Sequence, residues 1–596
     1  MFVGNPDPAG PPTRSPREPR LQSAWTTLRG IPRRRWLYFP RLFTRRERII
    51  ITALALVALF SLLAFSRRIT LLVTVERPAG GGVLREGEIG EPRYLNPLFA
   101  SNNTDRDITN LVFAKIVRYN PAGDIAMDLA QSVETSDDGL AYTVVLRDDA
   151  QWHDGEPLTA DDIVFTIRAI QNPEYQSPLR ATWQGVDAER MNDRTVRFTL
   201  RQAYAPFIEN LAVGIIPAHL WQNIPAGTAN LSDLNQKPIG AGPYRFQKLT
   251  RREDGTITSL VLERNTSFHG GKPFLGEIRF TFYPDEQSRI ASYRRNEIDS
   301  FFATGDIDLA PLRTEDTVIR ETGAPKVFGV FMNAGRQPAF ARRAVREALA
   351  RAIDRDRIIR DASPGSRRTE AAIPPGTFGF NGDIKAPAFD PEAAKSLLAK
   401  DGWKDSDNDG VLDRSEIGAN KKKTTQKLEL EIFTSDAPEL AAPARLVAEM
   451  WQAIGVKTEV KVLAVNELQQ AVIRPRAYPV LIFGEVFRHD PDPFAFWHTS
   501  QLKDPGLNVA LYSNRKVDQL LEDARKTNDR GAREATYREF QRIVNDDIAA
   551  IFLTTPRYAY IIREGTQGMT FSSLTLPEDR FNGVEQWYQD TRRAFR

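Results

Sequence analysis

Between residues 405 and 416 the chain reads Asp405-Ser406-Asp407-Asn408-Asp409-Gly410-Val411-Leu412-Asp413-Arg414-Ser415-Glu416. Counted from Asp405, carboxylates fall at positions 1, 3, 5, 9 and 12, with glycine at 6 and a backbone carbonyl free to serve at 7. Calcium takes roughly six to eight hard oxygen ligands, and a loop of this spacing wraps them around the ion while the glycine permits the sharp turn. The pattern predicts one structural Ca2+ held by Asp405, Asp407, Asp409, Asp413 and Glu416, and no other cofactor is expected. A second reading needs no ion, because Asp and Asn in a solvated turn accept hydrogen bonds from their own backbone. The flanks leave both open: a helical stretch from Pro391 to Lys400 precedes the run, whereas Lys421–Lys423 and a strand pattern follow it.

Patterns for catalysis are scarce. There is no G-x-S-x-G and no H-E-x-x-H, and Gly271-Lys272 lacks both the upstream glycine and the following Ser or Thr of a phosphate loop. Gly240-Ala241-Gly242 opens like a dinucleotide fingerprint, but Arg245 stands where the third glycine belongs. The five histidines, at 153, 219, 269, 489 and 498, include no pair at the i, i+4 spacing of metal ligands. The absence of cysteine excludes disulfides, thiolate metal sites, Cys nucleophiles and a lipid-modified N-terminal Cys. No enzymatic activity is expected.

The elements that must position any site begin with a charged head. Residues 1–48 carry eleven Arg and no Lys against Asp7, Glu18 and Glu47, a local charge of +8. By difference from the whole-chain value of +3, the remainder carries about −5, so no basic face for nucleic acid is expected. The run Ile49–Ser66 holds no charge over 18 residues, close to the ~20 that span a bilayer core. Arginine excess on its N-terminal side predicts a single-pass helix with residues 1–48, a disordered basic tail, in the cytoplasm and the body on the extracytoplasmic side of the cell membrane. A cleaved signal is the rival reading, although the following SRRITLLVTVERPAGGG offers a poor cleavage site and the head is long. Residues 67–82 read as a linker ending in Pro78-Ala79-Gly80-Gly81-Gly82.

The body alternates strand and helix periods. Val196, Phe198 and Leu200 alternate with polar residues, as in a half-buried strand. Ala341, Val345, Ala348, Ala352 and Asp356 recur at helical spacing, predicting one helix over 341–358. Leu428, Leu430 and Ile432 give a strand, Glu439 to Ile454 a helix stopped at Gly455, Val456 to Val462 a second strand, and Pro479–Phe483 a buried strand. Strand, helix and strand in succession imply a helix-covered parallel or mixed sheet, so the class is α/β.

Five segments, in order, resemble the family 5 extracellular solute-binding proteins, which include the dipeptide- and oligopeptide-binding proteins of ABC importers. They are Arg93-Tyr94-Leu95-Asn96-Pro97-Leu98; Trp152-His153-Asp154-Gly155 through Thr159-Ala160-Asp161-Asp162-Ile163; Pro238-Ile239-Gly240-Ala241-Gly242-Pro243-Tyr244; Arg346 to Arg355; and Asp490-Pro491-Asp492-Pro493-Phe494 running to Ser500. The glycine turn so identified accounts for the false nucleotide fingerprint. In the second segment Asp154-Gly155 suits a tight turn, and Thr159 suits a helix N-cap with Asp161 and Asp162 in the first turn. That segment is therefore scaffold and not ligand site.

The resemblance implies a bilobal type II periplasmic-binding architecture with an inserted subdomain. Lobe I is expected over 83–115, 239–325 and 556–596, the subdomain over 116–238 and lobe II over 326–555. It further implies a monomeric receptor that captures a peptide or similar small oligomer and delivers it to ABC permease subunits; a tethered sensor binding the same ligand without transport is the alternative. In peptide-binding relatives an Asp shortly before the late Asp-Pro pairs with the ligand's amine, and here Phe487 stands at that place. The expected ligand-binding set is Gly484, Glu485, Val486, Phe487, Asp490 and Trp497. Either Glu485 replaces the missing acid, or Phe487 and Trp497 supply stacking surface in a less charged pocket.

Overall fold

In the computed structural model, residues 44–305, 307–417, 423–570 and 574–595 are described. The chain divides into two compact units, Met1–Arg77 with Arg592–Arg596, and Pro78–Thr591.

The first unit is dominated by the helix Arg45–Val73, of 29 residues and therefore about 43 Å long. Its start is fixed by a capping box: the amide of Thr44 donates to Glu47 Oε2 at 2.8 Å, and the amide of Glu47 donates back to Thr44 Oγ1 at 3.4 Å. None of its residues is buried, and it is long and apolar enough to cross a membrane.

The second unit holds two α/β lobes and a smaller sheet. One seven-stranded mixed sheet runs, in spatial order, Thr317–Gly323, Arg557–Arg563, Ser300–Thr304, Gly81–Ile89, Leu275–Tyr283, Ile257–Arg264 and Tyr244–Arg251. A six-stranded sheet runs Arg367–Arg368, Ala550–Thr555, Lys326–Met332, Val480–Val486, Glu429–Ser435 and Lys457–Leu463. A four-stranded antiparallel sheet, Ala130–Thr135, Ala141–Leu146, Thr195–Leu200 and Val186–Asn192, is inserted in sequence between two strands of the seven-stranded sheet, Gly81–Ile89 and Tyr244–Arg251. In the six-stranded sheet Glu429–Ser435 and Lys457–Leu463 pair in parallel across the helix Pro438–Gln452, the crossover that the hydrophobic periods predict. The chain passes between lobes twice, at Gly323–Lys326 and at Thr555–Arg557, and the Ala324 amide ties these crossings together by donating to the Pro556 carbonyl at 2.8 Å. Two short neighbouring segments of this kind form a hinge.

The expected single helix over 341–358 is corrected. It is two helices, Arg343–Arg351 and Arg355–Ala362, because the Asp354 side chain accepts from the Arg357 amide at 2.9 Å and starts a new helix. Two of the motif segments meet physically. His153 accepts from the Gly240 amide through Nδ1 at 3.2 Å, and its Nε2 lies 3.1 Å from the Gly242 carbonyl. Burial holds its pKa down to about 4, so the ring is neutral and Nε2 is the donor. A Cβ on Gly240 would sit 1.9 Å from the Val112 carbonyl oxygen, and one on Gly242 2.5 Å from that of Leu111. Glycine is required there for close backbone approach to the end of the helix Asn103–Val112.

Candidate functional site

The strand Val480–Val486 ends at the face where open α/β sheets place ligands, and the chain leaving it turns into the space between the lobes. A cavity of ≈ 550 Å³ lies there. Its walls come from the first lobe and its subdomain (Lys115, Tyr119, Glu209, Asn210, Glu578, Asp579) and from the second lobe (Arg488, His489), with an apolar stretch at Pro178, Leu179 and Trp183. A neighbouring cavity of ≈ 500 Å³ shares Glu209, Asn210 and Arg488 and adds Tyr204, Val486, Asp490, Asp492 and Arg525.

Several of these groups are tied down. His489 Nε2 lies 3.0 Å from Asp579 Oδ2, its Nδ1 lies 3.0 Å from Thr575 Oγ1, and its ring stacks on Tyr119 with centroids 3.5 Å apart. Burial works to raise the Asp579 pKa, yet the bond from His489 and its charge hold it below the ordinary carboxylate range. Thr575, His489 and Asp579 have the reach of a nucleophile, base and acid in line. Thr575 does not line the cavity, however, and Tyr119 covers the ring, so the arrangement clasps the lobes together. Arg533 holds Asp490 at 2.7 Å, and Arg525 grips Asp492 with two bonds of 2.8 and 2.7 Å while the Tyr204 hydroxyl donates to the same acid at 3.1 Å. Burial and the neighbouring Asp490 push Glu209 up to about 7, and burial with Asp107 and Asp579 does the same for Glu578.

Of the six residues expected to bind ligand, Val486 and Asp490 line the second cavity, whereas Gly484, Glu485, Phe487 and Trp497 line neither. Phe487 and Trp497 are 1% and 0% exposed and belong to the core of the second lobe, which corrects the reading that they offer stacking surface. Glu485 is equally buried; Trp497 Nε1 donates to its Oε2 at 3.3 Å, Oε1 has no partner, and burial pushes its pKa to about 8. Along the strand, alternation sends 485 and 487 into the core and 486 and 488 outward. Lys115, Tyr119, Glu209, His489, Glu578 and Asp579 escape motif reading. Only the place of His489 beside the Asp490-Pro491 segment could have pointed to any of them.

In the acidic loop, carboxylate oxygens of Asp405, Asp407 and Asp409 lie within 4.8 Å of one another. Asp405 accepts from the amides of Asp409 and Gly410 at 3.1 and 3.0 Å, and Gly410 has φ of +86°. Asp413 turns instead to Ser406, whose amide donates to it at 3.0 Å, and the Lys427 ammonium bridges Asp407, at 2.9 Å, and Asp409. The side chain of Glu416 lies outside the described residues.

Two α/β lobes on a two-segment hinge, with a charged cavity between them, define a solute receptor of the type II periplasmic-binding class. The family model described as "Bacterial extracellular solute-binding proteins, family 5 Middle" matches residues 124–507, and the chain belongs to that family. It is 27% identical over 523 residues to the oligopeptide-binding protein AppA of Bacillus subtilis, covering 86% of this chain and 92% of the relative. It is 24% identical to the dipeptide-binding protein of Escherichia coli, over 81% of this chain and 91% of the relative. The solved structure of Bacillus subtilis AppA in complex with a nonapeptide superposes with a TM-score of 0.65 at 26% identity, over 86% of this chain and all of that one.

Proposed function

We propose that the body captures a peptide between its lobes and delivers it to the permease of an ABC importer. It acts as a receptor without catalysis, held at the membrane by Arg45–Val73. The observation that carries this reading is the interlobe cavity, into whose wall charged groups such as Lys115 and Arg488 enter with no ion-pair partner within 4.0 Å among the described residues, in a chain of solute-binding class. The names of the similar proteins supply peptide as the solute. The apolar helix supports anchoring, and the arginines before it support an extracytoplasmic body. The test is capture of synthetic peptide pools of two to nine residues by the full chain in detergent, read by mass spectrometry. Enrichment of intact peptides at equimolar yield is expected; an empty wild-type protein would refute peptide as the solute, and cleaved products would refute the receptor role.

The acidic loop is a second, separate proposal, that of one structural calcium ion. Asp405, Asp407 and Asp409 fit as ligands because their oxygens already converge. Lys427 must swing away first, since its ammonium stands among the same oxygens.

A further inference from the structure

Arginines gather at the C-terminal end of the helix Arg45–Val73. Positions 67–77 and 592–595 hold Arg67, Arg68, Arg77, Arg592 and Arg593 against one acid, Glu76. All of them belong to the first compact unit. There the strand Thr74–Ala79, which follows the helix without a loop, pairs with the last strand of the chain, Asp590–Phe595. Arg593 stitches the pair to the helix end: its guanidinium donates to Thr74 Oγ1 at 3.1 Å and to Glu76 Oε1 at 3.3 Å. The Thr74 amide and hydroxyl both donate in turn to the Thr70 carbonyl. Glu76 is thereby matched, while Arg67, Arg68, Arg77 and Arg592 are exposed with no ion-pair partner within 4.0 Å among the described residues. Strand alternation puts Arg77 and Arg592 on the face away from Glu76 and Arg593. Apolar groups stand exposed beside these charges: Phe595 on the last strand, and Ile69, Leu71, Leu72 and Val73 on the last turns of the helix.

Resting on the reading that Arg45–Val73 is the membrane anchor, we propose that this strand pair binds the surface of an anionic bilayer. Arg77 and Arg592, joined by Arg67 and Arg68, take the phosphates of anionic lipids, and Phe595 sits among the headgroups. Position is the first argument. The uncharged run Ile49–Ser66 covers about 27 Å of helix, close to the ~30 Å of a hydrocarbon core. Arg67 and Arg68 therefore emerge at its edge, and Thr74 stands about 12 Å further along the axis. The strand pair begins within roughly one Debye length of the lipid phosphates, where surface charge is still felt. Chemistry is the second. Every cation here is arginine, whose planar fork donates two parallel bonds to a phosphate and is more weakly hydrated than an ammonium. Exposed aromatic and aliphatic groups beside such cations suit a membrane interface, which accepts both. A free phosphate or an acidic protein would match the charges and leave those apolar groups in water. Topology is the third. Positive charge is ordinarily sparse next to a span on its translocated side, so four unpaired arginines there need a use.

The chain has no cysteine, so one introduced thiol carries a spin label alone. The full chain is placed in lipid nanodiscs of phosphatidylcholine, or of phosphatidylcholine and phosphatidylglycerol in equal parts. Collision of the label with a neutral, water-soluble nickel chelate is then measured. With the label at Ala594→Cys, collision is expected to fall by about threefold in the anionic discs relative to the neutral ones. Raising salt to about 0.5 M should erase most of that difference. Adding Arg77→Gln/Arg592→Gln should abolish it, whereas Glu76→Gln should keep or enlarge it. Neither Arg77 nor Arg592 holds the strand pair together, so thermal melts of the double variant should match wild type. A second label, at Val57→Cys in the middle of the uncharged run, reports on the anchor itself and should be shielded in both lipids. Equal collision rates at 594 in the two lipids, with the label at 57 shielded, would overturn this inference and leave the anchor standing. A lipid difference that survives Arg77→Gln/Arg592→Gln would overturn the assignment to these two arginines. Free collision at 57 would overturn the anchor and this inference together.

Discussion

Two charged clusters of this molecule invite comparison, one around Arg580 and one around the cavity. The Arg580 guanidinium is 0% exposed and donates to Asp107 at 2.8 Å, Glu88 at 2.6 Å and Glu86 at 3.1 Å, with the Phe581 ring 4.2 Å from its centre. Glu86 is met in addition by Tyr560, at 3.0 Å, and by Ser300. Burial raises the pKa of Glu86 and of Glu88 against the pull of Arg580, and Asp107 adds to the rise. This cluster is closed on itself and knits the strand Gly81–Ile89, the helix Asn103–Val112 and the C-terminal segment into one lobe. At the cavity wall, by contrast, Lys115, Arg488 and Glu209 have no ion-pair partner within 4.0 Å among the described residues. Ion pairing is thus complete around Arg580 and incomplete at the cavity.

The sharpest break between the two is expected from Arg580→Met. Three buried carboxylates would lose their cation, at a cost of about 3–5 kcal/mol in urea unfolding at neutral pH. Arg488→Gln should move the same midpoint by about 0.5 kcal/mol or less. Equal losses would mean that the two clusters do not differ in kind.

A second contrast lies within five residues of chain. Asp490 is paired with Arg533, whereas Glu485 has one indole donor only. The folded pKa of Glu485, about 8, stands above its ordinary 4.5, so the native state holds a proton that the unfolded state releases. Its contribution is complete below about 4.5 and is lost as pH rises through about 8. Glu485→Gln should flatten the decline of stability between those limits, by roughly 1 kcal/mol or more at pH 8, measured by urea unfolding across pH. An unchanged slope would show that Glu485 finds a cation in solution.

The smallest effect belongs to the proposed calcium loop, where an exposed cation answers exposed acids. Lys427→Met should enlarge the stabilisation produced by millimolar calcium over chelator, read as a rise in Tm, to about 1 kcal/mol at a fourfold excess of calcium over Kd. Asp405→Ala should abolish it. A melt indifferent to calcium in both wild type and Lys427→Met would leave the solvated turn as the whole account.

Architecture was readable because periodicity and glycine chemistry report local needs. The alternation of Glu429 to Ile432 and the turn at Gly240 and Gly242 each state a constraint that no other arrangement meets as well. The break at Asp354 was hidden, because the same apolar spacing serves one helix or two until a side-chain cap is seen. The site was mostly hidden for another reason. Lys115, Glu209 and Glu578 come from stretches far apart in sequence and resemble any surface charge there; only folding leaves some of them without partners. Phe487 and Trp497 misled in the opposite sense: aromatic rings near a ligand segment serve a core as readily as a pocket, and burial alone decides.

The clasp of Tyr119 and Asp579 on His489 bears on timing. It joins the lobes through protein groups alone, so it weights the shut arrangement whichever solute arrives. Only an open molecule admits a ligand, and only an opened complex lets one go. Loading and unloading are thus slowed together, lengthening residence without adding a single contact to the cargo. Whatever receives the solute gains control of release by prying at one stacked pair of rings.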